Sequence, residues 1–212
     1  MKKISFFEKC LSFFKTVVLE SFVFEDIEYK IALYKNNILL NTNNANQSNG
    51  SLYLAFKLLL DNYINFPKDK NLNILILGYG LGSVDRIITN KNKNIKITGV
   101  EKNIFLKPWM YAYEKPNNSE VFFEDAIQFV KNIKDSYDIV IIDLFEDTNI
   151  PDSMHQFLFW DKIYNSINQD GLIIWNVLQK KYDLNVIKGF IFDKKINIIT
   201  GNLFLLKRKN EI

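Results

Sequence analysis

From residue 72 onward the chain alternates short, almost wholly apolar runs with longer stretches of mixed polarity. The runs are ILIL (74–77), IKITGV (95–100), VFF (121–123), DIVIID (138–143) and LIIWNV (172–177). Runs apolar on both faces mark strands covered on both sides, as in parallel sheets. Between them, Ser83–Ile88, Ala126–Ile133 and Ser153–Ile167 read as helices. Strands alternating with helices predict an α/β, doubly wound, Rossmann-like fold with a mostly parallel sheet. The last stretch, INIITGNLFLLKRK, predicts two more strands joined at a Gly201-Asn202 turn. A closing antiparallel hairpin of this kind brings the sheet to seven strands.

Upstream the period changes. VVLESFVF (17–24), YKIALY (29–34) and ILLNT (38–42) are rich in β-branched and aromatic residues, with Lys35-Asn36-Asn37 as a polar turn. They predict a small antiparallel sheet. NNANQSNG (43–50) reads as a polar loop that caps the following helix or faces a ligand. Ser51–Tyr63 reads as that helix, with Leu52, Ala55, Phe56, Leu59, Leu60 and Tyr63 on one stripe. PKDKN (67–71) is the best candidate linker. At the N-terminus Phe6, Phe7, Cys10, Leu11, Phe14, Val17 and Val18 recur at three- and four-residue steps. That is one face of an amphipathic helix, expected to pack on the body with Cys10 as a small core residue. Glu8, Lys9 and Lys15 interrupt the run, so it is not read as a secretory signal. No run reaches the ~20 apolar residues of a membrane span. The chain thus divides into an N-terminal helix (1–16), a small sheet plus helix (17–66), and a Rossmann-like domain (67–212).

Composition narrows the chemistry. With 212 residues, 48% hydrophobic and 24% charged, the chain is long enough for one sizeable core. It has one His, His155, and one Cys, Cys10. A disulfide framework and a Cys/His zinc site are therefore not expected, no metal is expected, and a reducing cytoplasmic setting fits. A lone His is no triad, so His155 is read as a surface or satisfied structural residue. Trp109, Tyr111 and Tyr113 are read as packing residues. The net charge of +3 and the presence of only two Arg, Arg86 and Arg208, argue against a nucleic-acid partner. Chemistry must lean on carboxylates, hydroxyls, amides or a bound cofactor.

Asn73–Val84 reads NILILGYGLGSV: a buried strand, then Gly78, Gly80 and Gly82, then a helix. Such glycines let backbone N–H groups approach a ligand at a helix start. The third Gly of a dinucleotide fingerprint is missing, and no G-K-[ST] follows, so neither an NAD site nor a phosphate-binding P-loop is indicated. Glu101 ends the second strand. It can accept from ribose hydroxyls or pair with Lys102. Asp125 can cap the helix at Ala126 or accept from an adenine amino group. Asp143 ends the DIVIID run, with Glu146 and Asp147 close behind. Four strand ends, each with a Gly turn or an acid, converge on one edge of a parallel sheet, where ligands bind.

With these residues in place, the run from Leu72 to Val177 resembles a class I S-adenosylmethionine-dependent methyltransferase domain. More closely, it is similar to the spermidine synthase family. NILILGYGLGS, ITGVEKN, EDAIQFV and YDIVIIDLFED match the family's successive motifs. FWDKIYNSINQDGLIIWN matches its later helix, turn and strand. ESFVFEDIEYKIALYKNNILLNT and GSLYLAFKLLL match its N-terminal sheet and the helix after it. The resemblance implies a site for S-adenosylmethionine or its decarboxylated form. Gly78, Tyr79, Gly80 and Gly82 would hold the methionine part, Glu101 and Lys102 the ribose, and Asp125 and Ala126 the adenine. Asp143 would line the cofactor and act as the catalytic aspartate that deprotonates an attacking amine. Tyr53, Gln47 and Asp147 would face a small-molecule acceptor. A homodimer is also implied, with the N-terminal sheet as contact.

Three departures bear on the acceptor. Leu54 stands where the family carries a His after its Tyr. Gln47, Ser48, Asn49 and Gly50 stand where it carries acids. Asp143-Leu144-Phe145-Glu146-Asp147 stands where it carries D-[ST]-[ST]-D-P. A polyamine cation wants carboxylates, and this region offers amides. The sequence therefore favours methyl transfer to a small molecule. The alternatives are aminopropyl transfer from decarboxylated S-adenosylmethionine and a noncatalytic cofactor-binding protein.

Overall fold

A computed structural model describes residues 3–44, 46–48, 50–113, 118–145, 147, 149–177, 187–198 and 201–209. The small sheet comprises β1 (Val17–Phe24), β2 (Ile27–Tyr34), β3 (Asn37–Thr42) and β4 (Asn46–Ser48), antiparallel and in chain order. Its two tight turns place both central residues in the left-handed region, Glu25-Asp26 (φ 50° and 63°) and Lys35-Asn36 (φ 48° and 61°). That twist matches the twist of the flanking strands. Ile31, Leu33, Ile38 and Leu40 turn inward and pack against Leu81, Leu106 and Trp109 of the larger unit. The segment NNANQSNG, read as loop, contributes β4, which pairs with β3.

Helix α1 (Phe6–Leu11) precedes this sheet, and α2 (Gly50–Tyr63) follows it. Then come β5 (Asn73–Leu77), α3 (Ser83–Thr89), β6 (Lys96–Glu101), α4 (Lys107–Tyr113) and β7 (Ser119–Phe123). The chain continues through α5 (Ala126–Lys131), β8 (Tyr137–Ile142), α6 (Phe157–Ser166), β9 (Ile167–Val177), β10 (Phe190–Ile198) and β11 (Gly201–Arg208). The large sheet has seven strands in the order β10-β11-β9-β8-β5-β6-β7. Strands β5 to β9 pair in parallel, while β11 runs antiparallel to both β9 and β10. This is the doubly wound α/β fold expected from the sequence. Side chains of β5 alternate between two cores. Ile74 and Ile76 pack with Phe56, Leu59 and Leu60 of α2, while Leu75 and Leu77 pack with Trp160 and Trp175. Strand order reverses between β5 and β8, which opens a crevice at their carboxyl ends. No helix among the described residues is long and apolar enough to cross a membrane.

Four expectations are corrected. The N-terminal stripe does not pack on the body. Helix α1 buries none of its residues, Phe6 and Phe14 are 83% and 87% exposed, and Cys10 is exposed. Val17 and Val18 belong to β1. Contact with the body runs instead through Ile4 and Val17, packed against the core of the small sheet, and through buried Ser12, whose carbonyl and hydroxyl accept from the backbone N–H groups of Lys35 and Asn36. The helix read over Ser153–Ile167 is broken by extended Gln156 into a 3-10 turn (Asp152–His155) and α6, and Ile167 already pairs with Tyr137. Helix α5 ends two residues early, at Lys131. Gly201 and Asn202 are strand residues paired with Ile198 and Asn197, not the hairpin's turn.

Candidate active site

The crevice is a cleft of about 750 Å³, its open mouth included. Its floor comes from four strand ends. Gly78 and Gly80 follow β5, Glu101 and Lys102 close β6, Asp125 and Ala126 follow β7, and Asp143 follows β8. Three carboxylates against one Lys suit a positively charged ligand. The loop after β5 is left-handed at Gly78 (φ 84°), Gly80 (φ 57°) and Gly82 (φ 86°). At Gly78 the requirement is steric as well, because a Cβ there would lie 2.1 Å from the Asp143 carbonyl oxygen.

Each acid has defined partners. Glu101 accepts from the backbone N–H of Gly80 (2.7 Å, Oε2) and of Asn103 (2.8 Å, Oε1). Burial pushes its pKa up, and these backbone donors oppose the shift. A carboxylate has about four acceptor positions, so capacity remains for further donors in the cleft. Asp125 Oδ1 accepts from Ile127 N–H (2.9 Å) and Gln128 N–H (3.1 Å), the N-cap of α5. Asp125 is therefore a cap and a cleft residue at once. The Lys102 backbone N–H also bonds the Glu101 carboxylate, while its side chain turns to other acids. Its Nζ lies 2.6 Å from Glu25 Oε2 at the β1–β2 turn and 3.9 Å from Asp125 Oδ2. Asp143 is fixed by its backbone, whose N–H donates to Leu77 O (2.9 Å), and by Asn176 Nδ2, which donates to Oδ1 (2.8 Å). Burial pushes the Asp143 carboxyl up to about 7. The Asn176 bond opposes that rise, and the neighbouring charge of Glu101 adds to it.

With this geometry, residues 64–191 match the Spermine/spermidine synthase domain. The chain belongs to the spermine/spermidine synthase family. A polyamine aminopropyltransferase of Saccharolobus islandicus (strain L.S.2.15 / Lassen #1) is 31% identical over 136 residues, covering 58% of this chain and 44% of that protein. The polyamine aminopropyltransferase of Clostridium perfringens (strain SM101 / Type A) is 24% identical over 110 residues, covering 48% and 38%. The chain thus spans less than half the length of these curated relatives. Among solved structures, the spermidine synthase of Thermotoga maritima superposes with a TM-score of 0.65 at 14% identity, covering 92% of this chain and 73% of that one. Human methyltransferase-like protein 13 in complex with SAH superposes with a TM-score of 0.60 at 16% identity, covering 76% and 83%. At such identities the structures establish the shared fold.

Other residues expected from the family resemblance lie elsewhere. The Tyr79 side chain turns away from the cleft into the core. Its hydroxyl donates to Asp85 Oδ2 (2.6 Å), and its backbone N–H donates to Val100 O. Gly82 lies at the start of α3, where an added Cβ would come within 3.0 Å of the Tyr79 ring. Tyr53, in the first turn of α2, packs against the core, with the Arg86 guanidinium 5.5 Å above its ring. Asp147 accepts from Thr42 Oγ1 (2.6 Å) and Asn44 Nδ2 (2.6 Å), which ties the loop after β8 to the small sheet. The hydroxyls of Ser48 and Ser83 hydrogen-bond, tying β4 to the start of α3. The Gln47 side chain and Glu146 lie outside the described residues. His155 is exposed, and Trp109 is buried with its indole N–H donating to Glu20 Oε2 (2.7 Å).

Sequence reasoning missed Tyr29 and Leu40 of the small sheet, which line the cleft, and Asn176, which holds Asp143. A signal for Asn176 was present, since it is the one polar residue in LIIWNV. Tyr29 and Leu40 carry no such signal, because only the docking of two sheets brings them to the cleft.

Proposed function

We propose that the protein is an aminopropyltransferase that joins a small aliphatic amine to the aminopropyl group of decarboxylated S-adenosylmethionine. The observation that carries this reading is Asp143, an acid at the cleft floor with a pKa of about 7. A base matched to neutral pH is what removing a proton from an ammonium requires. The names of the curated relatives support aminopropyl transfer over methyl transfer, which the sequence alone favoured. The methyltransferase neighbour shares the fold, and fold by itself does not set the reaction.

The residues fit the cofactor. The acidic lining of the cleft matches a cationic sulfonium, and Glu101 retains acceptor capacity for a ribose. Bound there, the cofactor supplies an electrophilic carbon beside a positively charged sulfur. The chain's own part is alignment and proton transfer. Glu101 orients the sugar, Asp125 and Ala126 border the base, and Asp143 takes the amine proton so that the nitrogen lone pair is free.

The protein is incubated with a diamine and either decarboxylated or intact S-adenosylmethionine, and products are identified by mass spectrometry. The expected products are 5′-methylthioadenosine and an aminopropylated amine, formed from the decarboxylated cofactor only. A methylated acceptor with S-adenosylhomocysteine establishes methyl transfer instead. Absence of binding heat with both cofactors leaves neither reaction standing.

A further inference from the structure

Asn176 is fully buried, at 0% exposure, in the middle of the large sheet. Its backbone is held between β8 and β11. Trp175, just before it, pairs with Ile142, and Asn176 itself pairs with Leu203. Only the side-chain torsions retain freedom. Nδ2 donates to Asp143 Oδ1 at 2.8 Å. Oδ1 has no hydrogen-bond partner among the described residues. An unpaired buried acceptor is costly and needs a reason.

The chemistry of the neighbour supplies one. An ionised carboxylate only accepts, whereas a protonated carboxyl gains one O–H donor. A primary amide carries a donor and an acceptor on one planar group. The terminal torsion of Asn is broad and roughly two-fold, so a half-turn exchanges them. We infer that Asn176 is a positioning residue that pairs with Asp143 in both protonation states. Its Nδ2–H donates to the carboxylate, and after a half-turn its Oδ1 accepts the O–H of the acid. The inference rests on the reading of Asp143 as the base.

In the proton-transfer step, which precedes attack by the amine, an N–H bond of the acceptor ammonium breaks and an O–H bond forms on Asp143. The electron pair stays on nitrogen. Without a switching partner, an acid protonated on Oδ1 would face the fixed Nδ2–H donor, and one protonated on Oδ2 would keep that bond only through a neutral oxygen. With the amide turned, the acid keeps a hydrogen-bond partner, through the weaker of the two bonds. Neither Leu nor ionised Asp at position 176 could do both. The other charged groups lining the cleft are Glu101, Lys102 and Asp125. Of these, Glu101 acts on Asp143 by charge.

The test is a titration of the full chain by NMR from about pH 5 to about pH 9, without ligand, following the Asp143 carboxyl carbon and the Asn176 side-chain amide. The amide signals are expected to move with the same midpoint as the carboxyl. Flat amide signals through that transition overturn the inference. In Asn176→Leu the Asp143 midpoint is expected to rise by about one pH unit, a tenfold gain in proton affinity, because donation to a carboxylate is the stronger of the two bonds. The acid limb of turnover should move with it, while KM for the nucleoside stays within about threefold. An unmoved midpoint also overturns the inference. Where Asn176→Leu does not fold, the titration of the unaltered protein decides. Asp143→Asn separates the two readings. Undiminished turnover in that variant removes Asp143 as base and leaves the titration of the pair to be judged on its own.

Discussion

The backbone N–H of Gly80 donates to Glu101 Oε2 at 2.7 Å, so the glycine loop after β5 and the acid at the end of β6 form one rigid floor. This bond means that Glu101 has two tasks: it shapes the loop and presents its remaining acceptor positions to the cleft. Glu101→Ala removes both. Charge-assisted hydrogen bonds contribute about 1.5–3 kcal/mol, so cofactor affinity should fall by at least about tenfold. Calorimetry with decarboxylated S-adenosylmethionine checks this, and unchanged affinity would remove Glu101 from the site.

The glycines of the loop should not be equivalent. A Cβ at Gly78 meets the Asp143 carbonyl oxygen at 2.1 Å, and backbone cannot move aside cheaply. At Gly82 the nearest atom belongs to the Tyr79 ring, at 3.0 Å. Both positions also carry left-handed strain, about 1–3 kcal/mol for a non-Gly residue. Gly78→Ala should therefore lower Tm by about 5 °C or more, and Gly82→Ala by less. Thermal melts of the two variants give the ranking directly, and equal losses would count against the clash at Gly78.

The contrast between these glycines shows what the sequence could and could not convey. Strand ends in a parallel sheet are legible, because runs such as ILIL and DIVIID need apolar residues on both faces. Their order along the chain then places Gly78, Glu101, Asp125 and Asp143 on one edge. Side-chain direction within a loop is not legible. GYGLGS reads the same whether Tyr79 faces the ligand or the core, and only the open space above Gly99 draws it inward. A Cβ on Gly99 would stand 2.3 Å from that ring. The N-terminal stripe misled for a related reason. A helical period describes a face but not whether anything lies opposite it, and here Phe6, Phe7 and Phe14 face solvent. Nor could spacing show that Asp147 is engaged by Thr42 and Asn44.

Beneath the loop, the Tyr79 hydroxyl donates to buried Asp85, whose pKa burial pushes up. Tyr79→Phe keeps the ring that fills the space beside Gly82 and Gly99 but leaves Asp85 without that donor. A hydrogen bond to a charged group contributes about 1.5–3 kcal/mol, and the Ser119 and Thr89 hydroxyls still stabilise the carboxylate. The variant should melt at lower temperature, and the loss should shrink as acid neutralises Asp85. Cofactor affinity should fall only modestly, because the side chain does not line the cleft. A loss of binding larger than the loss of stability would put Tyr79 in the site after all.

Asp143 should reveal itself by opposite effects on stability and activity. Its ordinary pKa is 3.8, and burial pushes it up to about 7 in the folded chain. Between those values the folded protein holds a proton that the unfolded chain has released. Stability therefore falls as pH rises through that window, and the full penalty is present above it. Asp143→Asn removes the titration while keeping an oxygen for Asn176 Nδ2 to bond. The variant should melt close to the unaltered protein near pH 4 and about 5 °C higher near pH 8. The raised pKa of Glu101 is common to both proteins, so its contribution largely cancels. Turnover should behave in reverse. In the unaltered protein it should rise through an acid limb near pH 7, and in Asp143→Asn it should be largely lost with binding little changed. A variant that melts lower by the same margin at both pH values would show that Asp143 is not a carboxylate whose charge the fold penalises. The neutral-pH base would then have to be sought elsewhere in the cleft.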